Sequence, residues 1–288
     1  MINIKRVSHI YSKEFYAVNV LDGVSKIRSL LLETKNGCCP VMDDGDLVGV
    51  ITYKELLRTH PNRIIADAMR RNPVRVPAEM PLWQAKELFE ETELDVFLVE
   101  EKGRLSGILP RNLLEIQLGS HIDLLTGLYK SDYIYYQGVQ LLENKQEISI
   151  VFFDINNFGI IDKTYGHTVG DNILIEVSEL LRENTPSESF LCRFGGDEFA
   201  VLLPAHLDES TALAYRLADI ISRHSFTHGI EISISAGVIG GRRHEERADD
   251  PWHTMEQLIN IASLRSTEAK KSKTILSMCE IQLGDEIA

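Results

Sequence analysis

Two acids follow two glycines in Arg193-Phe194-Gly195-Gly196-Asp197-Glu198-Phe199, between the apolar runs Phe190-Leu191 and Phe199-Ala200-Val201-Leu202-Leu203. The pattern predicts a β-hairpin with its carboxylates at the tip. Glycines there accept backbone angles that other residues avoid and leave room for a ligand to come close. Adjacent carboxylates repel each other unless a cation joins them, and Mg²⁺ bridging to phosphate oxygens suits that task. Taken alone, the same residues also spell a Gly-Asp turn with a solvated Glu. A second acid upstream argues otherwise. Ile148-Ser149-Ile150-Val151-Phe152-Phe153 is an apolar, β-rich run ending at Asp154, which reads as a buried central strand delivering a carboxylate at its C-terminal end. Carboxylates on rigid strands, without histidine, are what metal-assisted nucleotidyl transfer needs.

The elements that would hold these acids are legible around them. Asn172 to Leu181 repeats apolar residues at helical spacing, and Glu231 to Val238 alternates as a strand does. Thr254 to Lys271 reads as a helix ending in a basic turn, favourable for its dipole and for a nearby phosphate. Gly240 to Pro251 reads as a polar, solvated loop.

From about Asp123 onward the chain resembles the GGDEF, or diguanylate cyclase, family. Asp123-Leu124-Leu125-Thr126-Gly127-Leu128 resembles the opening D-x-L-T-G-L, and Asp154 to Phe158, Tyr165-Gly166-His167 and Gly170-Asp171 follow in the family's order before Gly195 to Phe199. The resemblance implies an α+β, palm-like domain with a central antiparallel sheet flanked by helices. It implies that Asp154, Asp197 and Glu198, with the carbonyl of Ile155, bind Mg²⁺ (or Mn²⁺) and help activate a 3′-hydroxyl. Which signature acid ligates and which assists proton removal stays open. Phe158 would line the nucleotide cleft, Asp162 stands where the family usually has a guanine-holding Asn, Asp171 would accept from the N–H edge of guanine, and Lys270 would contact phosphate. The implied reaction joins two GTP head to tail into cyclic di-GMP with release of pyrophosphate, one GTP per subunit, so that the active form is a homodimer.

Several positions depart from the family pattern. Asp162 gives up an amide donor and adds negative charge. The family's Lys after D-x-F is Gly159, and its phosphate-binding Arg is missing at Lys273-Thr274-Ile275, where Lys271 or Lys273 offers a point charge rather than a fork. The product-inhibition motif would fall on Pro186 and Ser189 and is absent. Two alternatives therefore stand beside an active cyclase: a catalytically silent module that binds nucleotide or protein, and a cyclase with altered base preference.

The first 120 residues contain an internal repeat. Cys39-Pro40-Val41-Met42 through Ile51 aligns with Phe97 through Leu109 at an offset of 58 residues, each copy reading as strand, tight turn at Gly45 or Gly103, and strand. Helices are expected at Tyr53 to Thr59 and Arg111 to Gln117. A strand and an amphipathic helix are expected ahead of each copy, at Tyr16 to Val20 with Val24 to Leu32, and at Val74 to Val76 with Leu82 to Phe89. This β-α-β-β-α unit resembles a tandem CBS pair, about 8–60 and 61–118 within residues 1–118, ahead of a GGDEF domain at 119–288. Such pairs commonly bind an adenine nucleotide (AMP, ADP or ATP) and change shape, and many associate further. In the first copy Thr52 and Glu55 would contact phosphate and ribose; in the second, Pro110 and Leu113 stand there instead. The short junction at Leu118 to His121 would let a nucleotide in the pair regulate the cyclase half-sites.

Charge fits this plan. The first 120 residues carry 16 basic and 17 acidic side chains and the remainder 14 and 26, so −12 of the net −13 sits in the second half. That disfavours nucleic-acid binding, which relies on a basic face. Cys38, Cys39, Cys192 and Cys279 lack metal-ligand spacing and read as reduced thiols, and the nine histidines form no zinc pattern. With no apolar run of membrane length and no leader pattern, the expectation is a cytoplasmic bacterial signalling protein without a membrane anchor.

Overall fold

The computed structural model describes residues 5–33, 37–241 and 250–280. The chain divides into two compact units, Met1–Ser120 and His121–Ala288.

The first unit runs β1 (Val18–Asn19), α1 (Val24–Glu33), β2 (Cys38–Asp43), β3 (Asp46–Thr52), α2 (Tyr53–Arg58), α3 (Ile65–Ala68), β4 (Arg70–Arg71), β5 (Arg75–Pro77), α4 (Leu82–Thr92), β6 (Val96–Glu101), β7 (Arg104–Pro110) and α5 (Arg111–Gly119). The repeat holds down to backbone detail. The β2–β3 and β6–β7 hairpins turn on Asp44-Gly45 and Lys102-Gly103, all four with positive φ, which matches the twist of the flanking strands. Each hairpin shifts register at the equivalent place, Val41/Met42 and Val99/Glu100. The strand expected at Tyr16–Val20 is shorter than its sequence suggests: only Val18 and Asn19 pair with β2, and Tyr16 is exposed.

Each repeat body is completed by the segment of the chain that leads into the other. The backbone N–H groups of Val7 and Ser8 donate to the carbonyls of Met80 and Ala78, and those of Ile65 and Ala66 donate equivalently to Asp22 and Val20. Ser12 exchanges both backbone bonds with Ile108 on β7, while β4 pairs with β3 through Gly49 and Val50. Gly107 and Gly49 make these crossings possible, because a Cβ at Gly107 would strike Ser12 and Tyr11, and one at Gly49 would strike Met69 and Arg70. Cys38, Val50, Val96, Leu98 and Ile108 form the apolar seam between the bodies. Burial pushes the Cys38 thiol up to about 12, so it behaves as a small hydrophobe there.

The second unit runs β8 (Tyr129–Lys130), α6 (Ser131–Glu143), β9 (Ile148–Ile155), α7 (Phe158–Tyr165), α8 (His167–Asn184), β10 (Phe190–Gly195), β11 (Glu198–Leu203), α9 (Leu207–Arg223), β12 (Ile234–Gly241), α10 (Pro251–Ser272) and β13 (Leu276–Glu280). Six strands form one sheet in the order β13-β12-β9-β11-β10-β8. The centre is antiparallel, and the pairings at both edges are parallel. Alternation along β9 splits the core in two. Val151, Phe153 and Ile155 face one cluster with α8 and α9. Ile148, Ile150 and Phe152 face another with α6 and α10. The strand expected from Glu231 begins only at Ile234, which pairs with Ile155 at the end of β9; one further backbone bond, from the Asn156 N–H to the Ser233 carbonyl at 2.9 Å, follows before Asn157 turns the chain away with φ +58°. Of the expected polar loop, Gly240 belongs to β12 and Pro251 opens α10, while 242–249 lie outside the described residues. No helix among the described residues is long and apolar enough to cross a membrane.

Candidate active site

β9 supplies the first acid because its apolar run must be buried on both faces and ends where the sheet ends. Glu198 is registered directly opposite Asp154 across the β9–β11 pair, and Ser235 on β12 faces Asp154 from the other side. Directly opposed residues share a face. The even-numbered face of β9 carries Asp154 out of the apolar cluster under α10. Asp197 occupies the hairpin turn, and its carbonyl accepts from the Ile155 N–H at 3.2 Å, which ties the turn to the end of β9. The partner of Asp154 is thus the tip of a hairpin from an antiparallel neighbour, as the sequence pattern predicts.

The turn is held from outside by Arg193. Its guanidinium donates to the Gly196 carbonyl from Nε at 2.9 Å and Nη2 at 2.6 Å, and to Asp123 Oδ1 from Nη1 at 2.8 Å. Gly196 has φ +43°, in the left-handed region. Asp123 Oδ1 also accepts from the N–H and hydroxyl of Thr126 at 3.0 and 2.7 Å. The opening motif and the Gly195–Phe199 signature are therefore joined by one clamp. The pairing of Arg193 with Asp123 joins residues 70 positions apart and was not expected from the sequence.

Lys270, in the last turn of α10, bonds Asp154 Oδ1, and its Nζ lies 3.3 Å from the Ile155 carbonyl. Burial, above the other causes, pushes the Asp197 carboxyl up, with Asp154 adding to it and Lys270 and Arg193 opposing. Burial likewise raises Glu198, followed by the fields of Asp154 and Asp197. Such a cluster of crowded acids is short of positive charge. The donors are all hard oxygens, and a cationic ammonium already sits on two of them, so the residues fit a divalent cation of the Mg²⁺ type. Among the described residues no three acid, histidine or cysteine side chains converge as a ready ligand set.

The expected nucleotide residues gather around α7 and α8. Phe158 opens α7 after Asn157, whose φ is +58°. Asp162 Oδ2 lies 2.7 Å from His167 Nδ1 across the α7–α8 junction. Gly170 has no side chain because a Cβ there would strike Asp162 Oδ1 and crowd the Phe158 ring. Phe158, Asp162 and Gly170 thus share one recess, and Asp171 follows on the exposed side of α8. The sequence did not foresee the Asp162–His167 contact.

In the first unit Thr52 caps α2, and its hydroxyl and N–H both bond Glu55 Oε2. Arg70 adds an ion pair to Glu55 at 2.9 Å. Burial works against ionisation of Glu55, yet Thr52 and Arg70 outweigh it and hold the carboxyl below its usual range. Thr52 also borders a 260 Å³ cavity along the seam, opposite Val96, Pro110, Arg111 and Asn112. Glu55 is committed to the cap and the ion pair rather than to that cavity's wall.

Comparison with known proteins follows the same division. A CBS domain model matches residues 7–61 and 65–112, and a model described as diguanylate cyclase, GGDEF domain matches residues 120–274. Over 129 residues the chain is 30% identical to the diguanylate cyclase DgcZ of Escherichia coli, covering 43% of this chain and 44% of that one. Over another 129-residue alignment it is 34% identical to the response regulator PleD of Caulobacter vibrioides, covering 40% and 28%. This chain therefore spans less than half the length of these relatives. The solved diguanylate cyclase SiaD from Pseudomonas aeruginosa, in complex with its activator SiaC, superimposes with a TM-score of 0.50 at 24% identity over 58% of this chain and 64% of that one, a likeness of fold.

Proposed function

This chain belongs to the GGDEF, diguanylate cyclase, family and carries two CBS segments ahead of that domain, and from this premise we propose that it condenses two GTP into cyclic di-GMP. The observation that carries the reading is the β9–β11 register, which opposes Asp154 to Glu198 and ties Asp197 to Ile155. Asp154, the Ile155 carbonyl and the Asp197–Glu198 pair would hold Mg²⁺ or Mn²⁺. Bound there, the metal would supply charge to the phosphates and lower the proton affinity of the 3′-hydroxyl. Glu198 or Asp197, with carboxyls already raised by burial, is suited to take up that proton. Phe158 and Asp171 would seat guanine, and Lys270 would meet the triphosphate. Because each GTP attacks the other, two half-sites must face each other, and a homodimer is the functional form we propose. The CBS pair would regulate it through an adenine nucleotide at the Thr52 side of the seam, with Glu55 and Arg70 buttressing that threonine.

Asp162 favours a second reading. Fixed by His167, it presents only acceptor oxygens where the family has an amide, which supports an altered base preference. One assay separates the readings. Purified protein is incubated with GTP and Mg²⁺, with and without ATP and an adenine-nucleotide panel, and the products are resolved by mass. Cyclic di-GMP that disappears in Asp197→Ala is the expected result. Mixed guanine–adenine products would favour the second reading. Unconsumed GTP from folded dimeric protein would overturn cyclase activity in favour of a silent regulatory module.

A further inference from the structure

Lys270 stands on the two oxygens assigned above to the metal. Its ammonium bonds Asp154 Oδ1 and reaches the Ile155 carbonyl at 3.3 Å. The base of that side chain is held by the packing of α10. Ala269 and Ser266 are buried, and the Ala269 and Lys270 carbonyls accept from the Lys273 N–H that closes α10. Gly237 lets α10 lie directly against β12, with the Ala262 carbonyl and Ser266 N–H where a Cβ would be. What is left free to swing is the four-carbon stem, and the side chain is 35% exposed. The other nearby cation, Arg193, is already spent on Gly196 and Asp123.

We infer that Lys270 is a built-in occupant of the metal position, which a divalent cation must displace and which an incoming triphosphate draws away. This rests on the metal site of the proposed function and adds an order of events to it. Without nucleotide, the ammonium neutralises part of the charge of Asp154, Asp197 and Glu198 and competes with the metal for the same oxygens. A triphosphate offers the ammonium a stronger partner within reach of its stem. Metal loading then becomes conditional on the nucleotide, a coupling that by linkage works equally in both directions. The crowding of Asp197 and Glu198 agrees with an acid cluster that one ammonium only partly satisfies.

The test measures Mn²⁺ binding to the full-length protein by the loss of free-ion paramagnetic resonance signal, with and without a non-hydrolysable GTP analogue. Lys270→Met and Lys270→Gln are expected to bind Mn²⁺ alone about three- to fivefold more tightly than the parent, an order set by removing a competing contact of modest strength. In the presence of the analogue this advantage should vanish or reverse. Lys145→Met, at the opposite end of β9, removes the same charge and should leave Mn²⁺ affinity unchanged. Equal or weaker Mn²⁺ binding by both Lys270 variants, in protein that still loses its site on Asp154→Asn, would overturn the inference and leave the metal site standing. An equal gain in Lys145→Met would overturn it too, as a general charge effect. Mn²⁺ binding indifferent to Asp154→Asn would overturn the site itself, and the inference with it.

Discussion

Asp123 Oδ1 takes three donors, one from Arg193 and two from Thr126. Burial works against its charge, but these bonds outweigh the penalty and hold the carboxyl below the usual range. A depressed carboxylate contributes stability above its unfolded value, about 3.9, and loses it as pH falls through the lower folded value. Asp123→Asn should therefore cost about 1–2 kcal/mol at pH 7 in urea unfolding. The gap to the parent should close in the acid range, below the ordinary aspartate value. A gap that persists unchanged into acid would show that packing, not charge, holds the clamp. The acids themselves were legible in the sequence, because an apolar run must end at Asp154 and two glycines must turn before Asp197. What they touch was not. The contact of Lys270 with Asp154 joins residues far apart in sequence, and no local pattern announces it.

At the level of elements, the most consequential residue has no side chain. Gly237 sits in the middle of β12, where glycine weakens a strand, and it is there because α10 passes too close for a Cβ. Gly237→Ala would drive a methyl into the helix backbone, which has no rotamer with which to yield. It should cost roughly 2–3 kcal/mol of stability, read as a lower urea midpoint at unchanged slope. A cost near that of a surface change would mean that α10 floats on the sheet, and the lever argued for Lys270 would lose its fixed base. The alternation of Glu231 to Val238 did mark a strand, β12, which starts at Ile234. It starts later than read because the register with β9 ends at Ile155 opposite Ile234, and the chain leaves the sheet at Asn157, whose φ is +58°. The helix read from Thr254 to Lys271 is α10, slightly extended: Asp250 accepts from the Trp252 and His253 N–H groups, and Pro251 takes the first position. Its close approach to the sheet could be suspected only from a lone glycine in a strand pattern.

For the whole molecule, the two compact units each close a core of their own, and their proposed separability has a direct test. A fragment of residues 121–288 should fold, with near-native circular dichroism and a cooperative thermal transition. Failure to fold would mean that the second unit leans on the first for its stability. Within the first unit, the duplication was readable from the 58-residue offset, down to the turn glycines. The crossing of the two copies was not, since the residues involved, such as Ser12 and Arg70, look like ordinary connectors. That crossing means that the repeat as written and the repeat as folded are out of phase. The first body and the strand that finishes its sheet are contiguous from Val18 to Arg71, whereas the second body takes its edge bridge, Ser12 on Ile108, from the segment ahead of the first body. The smallest piece that closes its own sheet is thus a permuted repeat that starts in mid-copy. A nick between Pro61 and Arg63 would divide the first unit into two parts, each holding the edge that the other's body lacks.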